Sequence, residues 1–550
     1  MKYSRIILRG RFRETGPMSK SLIAAARRDT FRFDLFLAHV EWLLQRKKID
    51  TVLVECRNGF QAGSVSNAEA IRRELGRLAS AGKNLVFAAD TYDAVALYLA
   101  SATSIRLIHP LGQVQFLGLS RSLFYVRNFL ENAGVALTVF RRGAYKSAGD
   151  RFLRNEPSEE ERQQITEYLG TLHAELTSAI REGYRKSAEE IEELISGRIL
   201  YGSDAVEAGW ADETALPNDL IDRWKEQKAK EVSWKKQRPR YGKGKKIAVL
   251  VFDGAIVDGT SRQHPLLGQS VGAESYIGYI RSLADDKKIA GVVFRVNSPG
   301  GSAIASESVA RELERLAEKK PLLVSMGSVA GSGGYWITTP ARRVFAERTT
   351  LTGSIGVLMI VADARRLLNR LGISETSLKT AAHADLGQPF RELTPEERDY
   401  LEQNVEAVYE RFLEKAARAR KSSVDEIRSV AEGRVWSGEA AVARGLADEV
   451  GGLTKAVSYM KGLLRTDRVS VEFHPRPHFS LVERVLLKNA AVSTLVAAAP
   501  LATLPAWEDY LSLLRIPLAV IPQALGQEIL PYSTTQPRWL SMNTERSKIR

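Results

Sequence analysis

The sequence predicts an α/β protein made by tandem duplication, with a parallel β-sheet flanked by helices in each copy. Two observations predict it: short landmarks that recur at one offset, and strand-like runs that alternate with helix-like ones. Gly197-Arg198-Ile199-Leu200-Tyr201 recurs as Gly433-Arg434-Val435-Trp436-Ser437, and Ala208-Gly209-Trp210-Ala211-Asp212-Glu213 as Arg444-Gly445-Leu446-Ala447-Asp448-Glu449. Ser158-Glu159-Glu160-Glu161-Arg162 answers Thr394-Pro395-Glu396-Glu397-Arg398, and all three pairs are 236 residues apart. The last pair reads as two helix starts, each with a Ser or Thr N-cap and a glutamate three residues on, the pattern of a capping box. Pro395 takes the first helical position, where its missing N–H costs nothing.

Within the second copy, Lys246 to Val251 is an apolar run and Ser275 to Ala284 has helical periodicity. Gly291 to Val296 is β-branched, Ser306 to Leu316 is amphipathic, and Leu322 to Ser325 is apolar again. Alternation of this kind implies βαβ units, a parallel sheet, and function at the loops that follow the strands. The long capped helices after Ser158 and Thr394 are expected to form a separate arm on each copy. The expected domains are 1–222 for the first copy, 223–245 for a basic linker, 246–465 for the second copy and 466–550 for a tail, membrane-associated or packed on the core.

Composition narrows the function classes. The 550 residues exceed what one core organises, and 44% apolar with 26% charged residues is an ordinary globular balance. A single cysteine, Cys56, excludes an intrachain disulfide framework and a cysteine metal cluster. No His/Cys/carboxylate group has ligand spacing, so no metal and no cofactor are expected. The net charge of +14 is partly local: Lys225 to Lys246 holds ten Lys/Arg and two Asp/Glu. Only Trp234 and Tyr241 could stack on bases there, so a solvated linker is favoured and no nucleic-acid partner is expected.

The N-terminus enters the strand-like Ile6-Ile7-Leu8 directly, with Arg9 and Arg11 behind it. The apolar run of about 7–15 residues that a secretory leader needs is not evident. Asn489 to Trp507 is uncharged but broken by Pro500 and Pro505. It is expected to lie on a surface or pack on the core rather than span a bilayer.

The chemistry-bearing residues sit in two glycine turns of the second copy, Asn297-Ser298-Pro299-Gly300-Gly301-Ser302 and Gly331-Ser332-Gly333-Gly334-Tyr335-Trp336. A serine at a strand-to-helix turn points out of the sheet, with backbone N–H groups beside it. Gly333 N–H and one glycine of the Gly300-Gly301 pair are then the natural donors to a developing oxyanion. Alone, such a turn reads more simply as a tight turn. A serine nucleophile also needs a base, and no histidine lies in a recognisable nucleophile–base motif. His383, near the repeat counterpart of Lys146, reads as a loop histidine. Lys146, in Arg142-Gly143-Ala144-Tyr145-Lys146-Ser147-Ala148, is the candidate. To act near neutral pH its pKa must fall from about 10.4 to about 7–8, a differential of roughly 4 kcal/mol that burial at a domain interface would supply. On its residues alone, a solvated lysine is the simpler reading.

Four motifs, Gly143 to Ala148, Asn297 to Ser302, Gly331 to Trp336 and Leu351-Thr352-Gly353-Ser354-Ile355-Gly356, resemble those of the signal peptide peptidase A (protease IV) family in its long, two-domain form. They stand in the same order at compatible spacing, and the resemblance covers about residues 1–480. It implies a Clp-protease/crotonase-like fold for each copy and an oligomeric, bowl-like assembly, for which a tetramer is the expected size. It further implies degradation of released signal peptides and other extended, apolar peptides. Carried over, Ser332 matches the nucleophile, Lys146 the general base and Ser354 a hydroxyl that orients the lysine. Gly333 with Gly300 and Gly301 matches the oxyanion hole, and an apolar groove is expected around Tyr335 and Trp336. Membrane association in a bacterial cell is implied, with possible peripheral contact; since no leader or span is evident, a cytoplasmic location is the alternative.

The split of motifs between copies is itself informative. The first-copy counterpart of Ser332 falls near Asp93 or Ala94, and Asn58-Gly59-Phe60-Gln61 stands where the second copy has Ser-Pro-Gly-Gly. The counterpart of Lys146 falls near Ala382 or His383. Each copy thus holds one member of a dyad. Gly331 stands where the family often has alanine, which is expected to loosen the turn. The competing readings are an acyl-CoA hydratase or isomerase on the same superfold, which needs paired carboxylates at the oxyanion hole, and an inactive membrane-associated scaffold.

Overall fold

The computed structural model describes residues 1–16, 30–234, 240–264 and 268–475. The Asn489 to Trp507 segment and most of the expected tail lie outside the described residues.

Each copy forms a mainly parallel sheet. In the first the strand order is Lys230–Glu231, Lys2–Leu8, Thr51–Cys56, Asn84–Tyr92, Ile105–Val114 and Leu200–Tyr201. In the second it is Arg240–Gly242, Val469–His474, Lys245–Asp253, Ile289–Ser298, Leu322–Gly331, Arg343–Ala346 and Glu449–Val450. The inner strands read as continuous apolar runs, such as Ile247 to Phe252, because helices cover both faces of a parallel sheet. The helix Pro217–Glu226 packs Ile221 and Trp224 on the first sheet, and Lys230–Glu231 pairs with Lys2 and Tyr3. Val469–His474, expected in the tail, is a strand parallel to Lys245–Asp253. Trp234 stacks on His39 with ring centroids 4.7 Å apart, so this aromatic of the basic segment faces the protein.

The two sheets share one apolar layer. Ile247, Val249, Val293 and Leu323 of the second copy join Val52, Leu75, Leu78 and Phe87 of the first in a single core. A second core, with Phe294, Leu313 and Tyr335, covers the outer face of the second sheet. Polar groups lock the inner layer. Arg295 donates to Glu14, with both side chains about 1% exposed, and Arg73 Nη2 donates to Glu347 Oε1 at 2.8 Å. Glu69 accepts from Thr349 Oγ1 at 2.8 Å, and burial pushes its carboxyl up to about 7. Charges buried this deeply persist only when paired, and these pairs cross between the copies, so they fix the two halves in one relative placement.

The halves are also stitched by strands. Ala136–Arg142 of the first pairs antiparallel with Val357–Asp363 of the second, from Arg142 opposite Val357 to Ala136 opposite Asp363. The two long helices do not form separate arms. Glu159–Tyr184 buries Leu176, Ile180 and Tyr184 in the first core, and Pro395–Arg420 buries Tyr409, Phe412 and Leu413 in the second. Their apolar stripes have no other surface to cover. Thr394 and Glu397 close a full capping box, whereas Ser158 caps Glu161 N–H and the Glu161 carboxylate accepts from Tyr125 Oη instead.

Candidate active site

Ser332 stands at the end of the strand Leu322–Gly331 and opens the short helix Gly333–Trp336. The chain turns so sharply there that Ser332 adopts φ +53°, ψ −123°, a conformation costing a non-glycine residue about 1–3 kcal/mol. Its N–H is held by Gly353 O at 2.9 Å, and the helix returns bonds from Tyr335 and Trp336 N–H to Ser332 O. The neighbouring residues must be small. A Cβ on Gly333 would meet Ser306 Oγ at 2.4 Å, and one on Gly300 would meet Ser332 Cβ and Gly333 N at 2.8 Å. The Ser298-Pro299-Gly300-Gly301 turn therefore lies directly beside the serine. Gly300 N–H is used by Ser298 Oγ at 3.2 Å, leaving Gly301 of that pair and Gly333 as the available main-chain donors.

Lys146 arrives from the other half. The loop that follows Ala136–Arg142 is pinned by the second copy: Tyr145 N–H donates to Glu432 O at 2.9 Å and Ala144 N–H to the Glu432 carboxylate at 3.2 Å. Gln164 bridges the same junction, donating to Tyr145 O and Ser147 Oγ while accepting from Val435 N–H. Held in this way, Lys146 is buried and its Nζ donates to Ser332 Oγ, Ser354 Oγ and Ser354 O, each at 3.0 Å. Ser354 has φ +51°, and its N–H is fixed by Arg434 O at 2.7 Å. Two strained serines and one buried lysine thus meet where the halves join, within a single chain.

Six of the expected site residues gather here: Ser332, Lys146, Ser354, Gly333, Gly300 and Gly301. Tyr335 and Trp336 do not line a groove. Both are buried; the Tyr335 hydroxyl donates to Leu446 O, Trp336 Nε1 donates to Glu307, and the indole packs on Phe412 at 4.5 Å. A helix that starts at Ser332 directs these side chains into the sheet's outer core rather than toward the turn. An alanine in place of Gly331 would make only ordinary contacts, its Cβ lying 3.6 Å from Ser354 and 3.8 Å from Pro299. Sequence reasoning missed Glu432, Gln164 and Gly433 as supports. The repeat landmark Gly197/Gly433 was the available signal: Gly433 has φ +71°, and a Cβ there would sit 2.6 Å from Lys146 Cβ. Among the described residues no His/Cys/Asp/Glu group could hold a metal, and no helix is long and apolar enough to cross a membrane.

The model of Peptidase family S49 matches residues 77–231 and 314–467. This chain belongs to peptidase family S49. The two matched stretches fall one in each half, so the duplication is one of the S49 unit, a tandem of α/β domains built on mainly parallel sheets. The chain is 30% identical over 449 residues to Protease 4 of Salmonella typhi, covering 78% of this chain and 71% of that one. It is 31% identical over 408 residues to the chloroplastic serine protease SPPA of Arabidopsis thaliana, covering 72% and 60%. A solved ClpP1 mutant from Listeria monocytogenes aligns over 38% of this chain and 94% of its own, with a TM-score of 0.26 and 13% identity. Membership makes this S49 protein a serine protease, and selects that class over the hydratase and scaffold readings.

Proposed function

We propose that this S49 peptidase is an endopeptidase working through a Ser332–Lys146 dyad. The observation that carries the reading is the 3.0 Å approach of Lys146 Nζ to the Oγ of a strained, turn-borne serine. Neutral Lys146 takes the Ser332 proton as Oγ bonds to the substrate carbonyl carbon. The negative charge that develops on the carbonyl oxygen meets the N–H groups of Gly333 and Gly301. Lys146 then returns its proton to the departing amine as the C–N bond breaks, and deprotonates the water that hydrolyses the resulting ester. Ser354 holds Nζ on line through its hydroxyl and carbonyl. Extended, largely apolar peptides, released signal peptides among them, are the substrate class; the four-motif resemblance supports this. The same resemblance supports an assembly of several copies working in contact with a membrane.

The test is cleavage of a fluorogenic apolar peptide by the wild type, Ser332→Ala and Lys146→Ala across a pH series. Each substitution is expected to lower kcat/KM by about a thousandfold or more, as for other covalent peptidases. The wild-type rate is expected to rise through an apparent pKa well below that of a free lysine. Undiminished cleavage by either variant would reject the dyad.

A further inference from the structure

Lys146 is not the only side chain that the first half sends toward the Ser332 turn. The start of the helix Val65–Ser80 lies against residues 347–350 of the second half, and Glu69 on that helix binds their main chain. Its Oε1 accepts from Arg348 N–H at 2.9 Å, and its Oε2 accepts from Thr349 N–H at 3.1 Å and Thr349 Oγ1 at 2.8 Å. Ser66 Oγ and Tyr168 Oη both donate to Thr349 O, at 2.7 and 2.8 Å. Both main-chain polar groups of Thr349 are therefore held by the first half. Two residues on, Leu351–Gly353 pairs with Val329–Gly331, Gly353 O holds Ser332 N–H, and Ser354 receives Lys146 Nζ. Thr349, Thr350 and Thr352 are fully buried. A close-packed segment of this kind passes a displacement along rather than absorbing it.

The repeat isolates what is special about Glu69. Glu307 stands at the same place in the second half, five residues after a serine N-cap, Ser302 there and Ser64 here. Glu307 accepts from side chains, Trp336 Nε1, Lys415 Nζ and Arg311 Nε. Burial opposes its ionisation, but these bonds hold its carboxyl below the usual range. Glu69 has no such bonded cation among the described residues. Burial first, and the Glu347 carboxylate second, push it up to about 7 against the bonds from Thr349 and Arg348. The groups that face it are Glu347 and Arg73, which pair with each other, and the hydroxyls of Tyr98 and Tyr168. The Arg348 guanidinium is turned to Glu175 and Glu439.

We propose that Glu69 is a positioning residue for the peptidase reaction, holding residues 347–350 so that Gly353 and Ser354 keep Ser332 and Lys146 in line. It acts through Thr349 rather than on substrate, and the proposal rests on the dyad reading above. Only the ionised carboxylate can accept all three bonds; once protonated, one oxygen turns a hydrogen toward a donor and a bond is lost. The competent geometry is thus present above the Glu69 pKa and fades as pH falls through it. Lys146 must shed a proton as well, so two groups govern the acid side of the rate.

The test measures kcat and KM of the full chain on the fluorogenic apolar peptide from about pH 5 to about pH 9. Wild-type kcat/KM is expected to fall on the acid side with a limiting slope of about two, one proton for each group. Glu69→Gln is expected to leave a slope of about one and to lower the plateau kcat about tenfold, with KM within about twofold. Thr349→Val removes one donor to the carboxylate, so it is expected to keep the steeper slope and to move the upper midpoint to higher pH. A slope that Glu69→Gln leaves unchanged, a plateau kcat equal to wild type, or a loss confined to KM would overturn the proposal. If Glu69→Gln does not fold, Thr349→Val decides, and an unmoved profile there overturns it. Ser332→Ala and Lys146→Ala run in the same series. Cleavage surviving in them removes the dyad and the role of Glu69 with it; cleavage lost in both, beside an unaltered Glu69→Gln, removes that role alone.

Discussion

The turn at Ser332 and the turn at Asp93 occupy the same place in the two halves and differ in strain. Each ends an inner strand and opens a helix. Ser332 is held at φ +53°, with no side-chain cap on its helix, while Asp93 sits at φ −77° and its carboxylate accepts from Ala96 N–H at 2.8 Å as an ordinary N-cap. A strained turn that aims a hydroxyl out of the sheet persists only where surrounding contacts over-determine it. Those contacts, the Gly353 carbonyl and the packed glycines, surround Ser332. Asp93 has instead the relaxed geometry that capping residues prefer. The duplicated fold therefore separates what the sheet requires, a turn into a helix, from what the proposed dyad adds, a strained residue under a buried lysine.

The sharpest way to break this comparison is at the paired glycines beneath the lysine loop. Gly433→Ala places a Cβ 2.7 Å from Lys146 N, while the same change at Gly197 meets nothing within 4 Å. Displacing the base by about 1 Å is expected to lower kcat/KM roughly a hundredfold in Gly433→Ala, against little change per folded chain in Gly197→Ala. Equal losses in the peptidase assay would show that Gly433 does not seat the lysine.

A second contrast lies in acid stability. Burial lowers the His39 pKa to about 4, whereas the matching helix of the second half, Ala273–Asp285, carries no histidine. The folded state keeps His39 neutral while an unfolded histidine titrates near 6.5, so its stabilising contribution is present above that value and lost as pH falls toward 4. The span corresponds to about 3 kcal/mol at most. His39→Leu should flatten the acid limb of urea-unfolding free energy against pH; an unchanged limb would mean that other groups govern it.

Smaller effects sharpen the picture. Gly331→Ala should leave kcat/KM within about threefold, since its Cβ finds only ordinary contacts; a large loss would mean the turn needs that glycine's freedom. Asp93→Ser in a Ser332→Ala background should leave cleavage at the background of Ser332→Ala alone, because Lys146 Nζ bonds Ser332 and Ser354 of the second half. Recovered cleavage would mean that the turn at Asp93 is still an active site.

Much of this was legible in the linear chain. The duplication, the βαβ alternation and the helix N-caps at Ser158 and Thr394 are local patterns, written in residue spacing. Ser332 was legible as a turn-borne serine because glycines crowd around it, and Lys146 only through its motif. The supports at Glu432 and Gln164 were not, since a backbone carbonyl and a bridging amide leave no spacing of their own.

The amino-acid order by itself determined which segments are strands, which are helices, and which turns are tight enough to present a hydroxyl. Tertiary structure alone decided that Lys146 reaches a serine 186 residues away, and that Tyr335 and Trp336 serve the core. It also decided that Val469–His474 belongs to the sheet. Local periodicity records which face of an element is apolar, not what that face meets. The partner is chosen when distant segments close on one another, and here two halves with the same pattern had to find a single seam.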